Sequence, residues 1–333
     1  MQLDATVRGF DLAHVPAWAR RCEELGVGRL WTTETNHDPF FPLVLAAQAT
    51  QRVGLATGVA IALPRSPMHL AYAAWDLQTL SCGRFVLGVG SQIRPHIRHR
   101  FSSEWDKPVS RMRELVLAVK AIHAAWQEDA PLEFRGDFYR HTLMPPAFRP
   151  ERAGSWGPPP VVMAAYRGPM LEAAGEVADG VIVHPLQSVR YLTETVLPTV
   201  ELGLARSGRR REDFELTLCL FTAQTEEEVE EVRRRLSFYA STPMYRDTLA
   251  AEGLDDVAAE LHRLSTTGGW EAMPALITDE ILDLFAVRGS GGAEIAAEIQ
   301  RRYGGLVDRI NLHAGERAEP ERWAEIAAAF PAG

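Results

Sequence analysis

The segment from Gly54 to Gly90 constrains the fold more than any other part of this 333-residue chain. It reads GLATGVAIALPRSPMHLAYAAWDLQTLSCGRFVLGVG, and its two ends, Gly54 to Ala62 and Arg84 to Gly90, are almost entirely apolar or small. Such runs are typical of parallel strands that are covered on both faces. After Pro67, apolar residues recur every three or four positions, which indicates one helix. The segment is therefore predicted to be a β-α-β unit with a ligand site at the carboxyl ends of its strands.

Strand-like and helical patterns alternate along the rest of the chain, which favours a parallel sheet. Eight strands with a closing helix predict an α/β fold of the (β/α)8 TIM-barrel class, in one domain over residues 1–333. A doubly wound open sheet is the alternative. Residues 128–160 and 241–305 break the alternation and are predicted to be insertions. The strand candidates are Gln2 to Val7, Arg29 to Thr33, Gly54 to Ala62, Arg84 to Val89, Val161 to Ala165, Val181 to His184, Glu215 to Thr222 and Asp308 to His313. The helical patterns cover Leu12 to Leu25, Leu43 to Gln51, Met68 to Leu80, Ser110 to Trp126, Met170 to Glu176, Val189 to Ala205 and Pro320 to Phe330.

Composition and charge argue against several classes of protein. Apolar residues make up 46% of the chain and charged residues 24%, which is typical of a soluble globular protein. The net charge of −9 argues against a general nucleic-acid-binding surface. The three scattered cysteines, Cys22, Cys82 and Cys219, indicate neither a disulfide framework nor a thiolate metal site. Because the chain has no leader-like start and no apolar run of about 18 residues, we expect a cytoplasmic protein with no membrane span.

Several histidines follow predicted strands, so they are expected at the same rim of the barrel. His96 and His99 have a spacing that metal ligands can use. They lie, however, in the arginine-rich run RPHIRHR, whose positive charge repels a cation, and no cysteine or carboxylate accompanies them. No metal site is predicted.

The run GVGSQI follows a predicted strand and superficially resembles a dinucleotide-binding fingerprint. That fingerprint needs a third glycine where Ile93 stands and a helix directly behind it, whereas Arg94 and Pro95 indicate an irregular loop. Two interpretations remain open. The glycines either form a tight strand exit, or they let a flat ring lie close to the backbone.

Four motifs together indicate a family. The runs WTTETNHDPF, TGVAIALPRSPMHLA, RFVLGVGSQ and MAAYRGPMLEAAGEVADGVIV occur in this order through nearly the whole chain. They resemble the luciferase-like barrel family of flavin and deazaflavin enzymes, and most of all its branch that uses coenzyme F420. The resemblance implies an F420-dependent oxidoreductase that transfers hydride to or from a small organic substrate. An FMN-dependent monooxygenase and a non-catalytic cofactor-binding barrel are the alternatives.

The resemblance also implies roles for residues after strands two and three. The family carries a bulge with a non-prolyl cis peptide behind the cofactor ring, which is expected here at Ala60 and Ile61. His37 matches the place where some deazaflavin dehydrogenases keep a histidine base. Alternatively, its ring hydrogen-bonds Asp38 or a backbone carbonyl. Glu34 is the second catalytic candidate.

Further cofactor contacts are implied after strands four, five and six. Gly90, Ser91 and His96 are expected near the ring. A small-residue turn would place backbone amides near the cofactor phosphate at the start of a helix, and Tyr166 within it would either narrow the cleft or point outward. The members of that turn are Ala165, Tyr166 and Gly168. Val183 and His184 would occupy the next rim position.

The chain also departs from the family pattern. In the family's sugar-phosphate dehydrogenases an acidic residue follows the strand-four glycines, whereas Ile93 stands near that place here. The same alcohol-oxidising chemistry is therefore doubtful for this chain. Arg94, Arg98 and Arg100 could surround an anionic tail, because guanidinium pairs well with phosphate and carboxylate, or they could form a solvated loop. A homodimer is usual in the family, through the helices predicted after strands two and three.

Overall fold

Eight parallel strands close into a barrel in a computed structural model of the protein, which describes residues 1–7, 11–313 and 321–330. Each predicted barrel strand is present, and the pairing closes on itself, so the barrel prediction is confirmed and the open sheet is excluded. The strands are β1 (Gln2–Val7), β2 (Arg29–Thr32), β3 (Gly54–Thr57), β4 (Ala60–Ile61), β5 (Phe85–Gly90), β6 (Phe134–Arg135), β7 (Arg140–His141), β8 (Val161–Ala165), β9 (Gly180–Val183), β10 (Glu215–Ala223), β11 (Ala286–Arg288) and β12 (Arg309–His313).

The order around the barrel is β1, β2, β3, β5, β8, β9, β10 and β12, and β12 returns to β1. Outside this ring, β4 pairs with β5, β11 pairs with the outer end of β10, and β6 with β7 forms an antiparallel hairpin within residues 128–160. β11 was not predicted. It is only three residues long, too short for a strand pattern to be recognised.

Helices follow the strands and cover the barrel. Residues 189 to 207 are helical throughout, as predicted, but they include a π-helical turn at Leu192–Val196. Pro198, which follows that turn, lacks the amide that a regular α-helix would use there. The predicted start of the last helix, Pro320, lies outside the described residues. The helices are α1 (Val15–Glu24), α2 (Phe40–Ala49), α3 (Pro67–Leu80), α4 (Pro108–Glu128), α5 (Gly168–Val177), α6 (Val189–Tyr191), α7 (Leu197–Ser207), α8 (Glu226–Ala240), α9 (Arg246–Ala251), α10 (Asp255–Thr267), α11 (Asp279–Phe285), α12 (Gly292–Tyr303) and α13 (Glu321–Ala328).

Two hydrophobic cores divide the molecule. The main core fills the barrel and the space beneath its helices. A second core lies beneath α8 to α11, and it is built around residues such as Leu236, Leu261 and Phe285. Within the described ranges, no helix has both the length and the apolarity needed to cross a bilayer. The predicted homodimer stays a prediction; α2 exposes Phe41 and α3 exposes Leu80.

The chain bends where one long strand was predicted. The structure ends β3 at Thr57 and resumes as β4 at Ala60, and the cis peptide joins Gly58 to Val59. The expected position at Ala60 and Ile61 is therefore wrong by two residues. Only glycine fits at the bend, because a Cβ on residue 58 would lie 2.9 Å from the ring of Trp31.

A buried ion pair closes the barrel between its first and last strands. The Asp4 carboxylate is fully buried and accepts hydrogen bonds from Arg309 Nε at 2.7 Å and Nη2 at 2.6 Å. The indole Nε1 of Trp31 donates to the same carboxylate at 2.9 Å. Asp4 and Arg309 therefore neutralise each other's charge inside the protein.

Removing the Asp4 carboxylate should strongly destabilise the fold. We expect Asp4→Ala to lower the free energy of unfolding by about 3–5 kcal/mol, because Arg309 loses its main buried partner. Urea unfolding followed by circular dichroism measures the change. Glu260→Gln, in an exposed pair with Arg263, is the control and should have no measurable effect. An Asp4→Ala protein as stable as the parent would contradict this role.

His123 on α4 is buried in an aromatic cluster. Its ring centroid lies 5.4 Å from that of Trp75 and 5.8 Å from that of Trp126. Its Nε2 donates to the carbonyl oxygen of Ala71 at 3.2 Å. Burial disfavours the charged imidazolium and lowers the pKa of His123 to about 4.

This depressed pKa predicts a pH-dependent stability. Between about pH 4 and 6.5 the His123 ring is protonated in the unfolded protein but not in the folded protein. The free energy of unfolding therefore rises with pH over this range, and His123 contributes up to about 3 kcal/mol to the rise. His123→Gln should therefore flatten the rise in unfolding free energy between pH 4.5 and 6.5, measured by urea titration at each pH. The exposed His69→Gln on α3 should leave the slope unchanged. Equal slopes for His123→Gln and the parent would refute the assignment.

Candidate active site

A cavity of about 860 Å³ opens at the carboxyl ends of the barrel strands. Its inner lining comes from strand ends, the loops that follow them and the first turn of α5. Its outer lining comes from the start of α4 and the residue Trp105 before it, and from the end of α8 and the segment after it. The inner residues are Thr33, Glu34, Thr35, Gly58, Val59, Ile61, Ser91, Gln92, Ala164, Ala165, Tyr166, Arg167, Gly168, Pro169, Met170, Ile182, Val183, His184, Pro185, Cys219 and His313. The outer residues are Trp105, Pro108, Val109, Tyr239, Met244, Tyr245 and Asp247.

The bulge between β3 and β4 forms one wall. It packs directly on β5, where side chains would not fit: a Cβ on Gly88 would lie 1.9 Å from the carbonyl oxygen of Thr57, and one on Gly90 would lie 2.7 Å from Val59 Cγ2. The Thr57 hydroxyl donates to Gly88 O at 2.7 Å and accepts from Gly88 N–H at 2.9 Å. Val59 and Ile61 face the cavity, so this wall is apolar and is fixed by backbone contacts.

Glu34 fastens the bulge from the side of β2. Its Oε2 accepts the amide hydrogen of Ile61 at 2.7 Å, and its Oε1 accepts from Arg65 Nη2 at 3.0 Å. The same arginine nitrogen donates to Asp38 Oδ2 at 2.8 Å. The Glu34 side chain is only 7% exposed. Arg65 therefore neutralises the charge of Glu34 inside the protein, at the edge of the cavity.

Eight of the predicted site residues line the cavity. His37 and His96 are exposed and lie outside the lining, because the chain turns outward after Thr35 and again in the π-helical turn His96–Arg100. Ala60 and Gly90 lie behind the wall, where they pair within β4 and β5. The catalytic roles of His37 and Glu34 stay predictions. The eight lining residues are Glu34, Ile61, Ser91, Ala165, Tyr166, Gly168, Val183 and His184.

The opposite side of the cavity contains a helix N-terminus. The first residues of α5, from Gly168 to Met170, line the cavity, and Arg167 at the N-cap makes no side-chain cap. The amide groups and the dipole of this ten-residue helix favour an anion there. A phosphate-binding turn at this place thus fits the geometry.

The Tyr166 side chain is buried and lines the cavity, so it does not point outward to solvent. Its hydroxyl donates to the carbonyl oxygen of Tyr245 at 3.1 Å and contacts the hydroxyl of Thr248. Burial raises the pKa of Tyr166, so the hydroxyl stays protonated. Tyr166 therefore ties the helix-entrance turn to the segment after α8.

An aromatic wall, consisting of His184, Tyr239 and Tyr245, was missed by the sequence analysis. The rings of His184 and Tyr245 stack at 4.3 Å and 24°, and Tyr239 contacts His184 edge-on at 4.7 Å. Only His184 was identified from its strand end. Tyr239 lies near the end of α8 and Tyr245 within the predicted insertion 241–305, and only tertiary folding brings them to the rim.

The charged side chains of the lining are paired. Arg167 Nη2 and Nε donate to Asp247 Oδ2 at 2.8 and 3.0 Å, and Glu34 is held as described above. In the part of the chain that the structure describes, no three His, Cys, Asp or Glu side chains are grouped to hold a metal ion. The cavity therefore combines apolar walls, a helix N-terminus and internally compensated charges.

Removing the Glu34 carboxylate should loosen the bulge. We expect Glu34→Ala to raise hydrogen exchange at the Ile61 amide about tenfold or more, because the loss of a buried acceptor costs about 1–3 kcal/mol. Glu34→Gln keeps an acceptor for Ile61 and should stay close to the parent rate. Exchange followed by mass spectrometry or NMR measures the difference. Unchanged protection in Glu34→Ala would show that Glu34 does not fasten the bulge.

Comparisons with known proteins agree on one family. The sequence model described as luciferase-like monooxygenase matches residues 2–309. An uncharacterised protein of Mycobacterium tuberculosis is 46% identical over 316 residues, which cover 93% of this chain and 92% of that protein. An F420-dependent glucose-6-phosphate dehydrogenase of Amycolatopsis mediterranei is 27% identical over 273 residues, which cover 77% of this chain and 80% of that enzyme. Among solved structures, the coenzyme F420-dependent tetrahydromethanopterin reductase of Methanopyrus kandleri superposes with a TM-score of 0.79 at 18% identity, covering 98% of this chain and 96% of that one.

Proposed function

This chain belongs to the luciferase-like monooxygenase family, and on that basis we propose that it is an oxidoreductase that uses coenzyme F420 to transfer hydride to or from a small organic substrate. Family members are F420- or flavin-dependent enzymes, and relatives similar to this chain include F420-dependent oxidoreductases. The choice of F420 over FMN rests on the charges around the mouth of the cavity.

The residues of the cavity fit a deazaflavin. A flat ring needs an apolar surface close to the backbone, and the wall at Val59 and Ile61 offers one. A phosphate needs backbone amides and a positive helix end, which the start of α5 supplies. The cofactor supplies the hydride chemistry when bound. The chain would hold the ring against the bulge and the phosphate at Gly168.

The observation that favours F420 is a group of arginines at the rim. Coenzyme F420 extends beyond its phosphate into a tail of carboxylates, whereas FMN ends at its phosphate. Arg100 Nη2 donates to the carbonyl oxygen of Thr35, a lining residue, at 2.7 Å. Arg94 and Arg98 are exposed nearby and have no acidic partner among the described residues. In a chain of net charge −9, such a group can bind an anionic tail.

The chain can also supply a proton. The Leu186 amide donates to His184 Nδ1 at 3.1 Å, so the neutral ring carries its hydrogen on Nε2. His184 lines the cavity, whereas His37 does not. We therefore assign proton transfer to Nε2 of His184 before His37. The Glu34 carboxylate, engaged by Arg65 and the Ile61 amide, acts by positioning the bulge.

A monooxygenase that uses reduced FMN is the second candidate. The aromatic wall favours it, because apolar surfaces that exclude water protect reactive intermediates. A cofactor-binding barrel without activity shares the same binding site. These alternatives differ in cofactor preference or in turnover.

Equilibrium titration with F420 and FMN, oxidised and reduced, tests the proposal through the fluorescence or absorbance of each chromophore. We expect tight F420 binding and negligible FMN binding. The double variant Arg94→Gln/Arg98→Gln should weaken F420 binding about 3- to 10-fold and reduce its dependence on salt, because two charge-assisted contacts are lost. The double variant Arg20→Gln/Arg234→Gln, on the exposed faces of α1 and α8, removes the same two charges and is the control.

Preferential binding of reduced FMN would replace the hydride-transfer proposal with monooxygenation. Binding of neither cofactor would refute the site assignment. Stoichiometric F420 binding without turnover of any organic substrate would favour the non-catalytic barrel.

A further inference from the structure

The aromatic wall and its neighbours give the outer half of the cavity a flat, apolar character. The Tyr239 and Tyr245 rings meet edge-on at 5.9 Å, and Tyr245 also stacks on His184. Met244, in the same turn as Tyr245, and Trp105, which precedes α4, line the same half. Aromatic surfaces of this kind bind planar apolar groups by stacking and edge contacts.

The charges of the lining argue against an ionic substrate. Glu34 is committed to Arg65 and the Ile61 amide, and Arg167 is committed to Asp247. The remaining lining residues contain no lysine, no further arginine and no further carboxylate. In the outer half of the cavity, away from the start of α5, an anion or a cation would lose its hydration without gaining a lysine, a free arginine or a free carboxylate among the described lining residues, which is unfavourable.

Two phenol hydroxyls offer polar contacts to a ligand. The hydroxyls of Tyr239 and Tyr245 have no hydrogen-bond partner within the described part of the chain, although both residues line the cavity. Burial raises the pKa of Tyr245, so its hydroxyl remains a donor at neutral pH. The hydroxyl of Tyr166, by contrast, is already engaged with Thr248 and Tyr245 O. The wall can therefore donate to a neutral oxygen while its rings contact carbon.

We propose that the substrate is an uncharged organic molecule with a planar apolar ring and a carbonyl-type oxygen, bound between the aromatic wall and Trp105. This inference deepens the function proposed above and rests on it for the type of reaction. The preference of the cavity for a neutral ligand, by contrast, is argued from the lining residues alone. The inference predicts that multiply charged molecules, such as sugar phosphates, are not substrates.

Three probes that share one planar ring but differ in charge test the inference: acetophenone is neutral, benzoate is an anion and benzamidinium is a cation. Each is titrated into the protein by ligand-observed NMR, first without cofactor and then with saturating F420. We expect acetophenone to bind at least tenfold more tightly than either ion. Tyr245→Phe should weaken acetophenone binding about 3- to 10-fold, through one lost hydrogen bond. Tyr245→Leu should weaken it further, through the lost ring.

Trp270→Ala is the matched control, because Trp270 is a 49% exposed aromatic residue of the same region that lies outside the lining. It should leave binding unchanged. Benzoate or benzamidinium binding as tightly as acetophenone, absence of acetophenone binding up to its solubility limit, or a Tyr245→Phe protein with parental affinity would overturn the inference. If the Tyr245→Leu protein fails to fold, the affinity of the Tyr245→Phe protein for acetophenone alone decides whether the inference holds.

Failure of the proposed function gives a different result. A protein that prefers acetophenone but binds neither F420 nor FMN would overturn the cofactor assignment and still support the neutral cavity. A protein that binds F420 but prefers benzoate would keep the cofactor assignment and overturn the inference.

Discussion

The bulge between β3 and β4 packs directly against the backbone of β5, and this contact determines the shape of the cavity. Gly88 and Gly90 have no side chains, so Thr57 and Val59 can approach β5 more closely than any other residue type would permit. The wall that results is thin, apolar and supported along its whole length by the barrel. Everything opposite it, from the start of α5 to the aromatic wall, is placed relative to this fixed surface.

The structure also separates two kinds of charge. Inside the cavity, Glu34, Arg167 and Asp247 are neutralised by partners of the protein's own. Outside it, Arg94 and Arg98 remain exposed and open to anions. A ligand with a neutral reactive end and an acidic tail would be oriented by this difference alone. The same division explains why a cofactor can be anionic while the proposed substrate is not.

The barrel could be predicted from the sequence because most strands are short, largely apolar runs that alternate with helical patterns, and this alternation is visible without knowledge of tertiary contacts. The bulge could not be located to the residue. Gly58 interrupts an otherwise strand-like pattern. A glycine is needed there because the ring of Trp31 leaves no room for a Cβ, and Trp31 is too far away in the sequence for a local pattern to show this. His37 was chosen for its position after β2, but the direction of the chain after Thr35 depends on tertiary contacts. Tyr239 and Tyr245 were missed because they reach the rim only when α8 and the turn after it fold onto the barrel.

The second hydrophobic core has a consequence for how this protein can change over time. The segment that contributes Met244 and Tyr245 to the cavity is anchored on a core of its own, beneath α8 to α11, rather than on the barrel interior. The bulge has separate supports in β5 and Glu34, whereas the start of α5 is bonded to this segment through Tyr166 and through the Arg167–Asp247 pair. A substitution that shifts this segment would therefore be felt at the start of α5, while the bulge would keep its position.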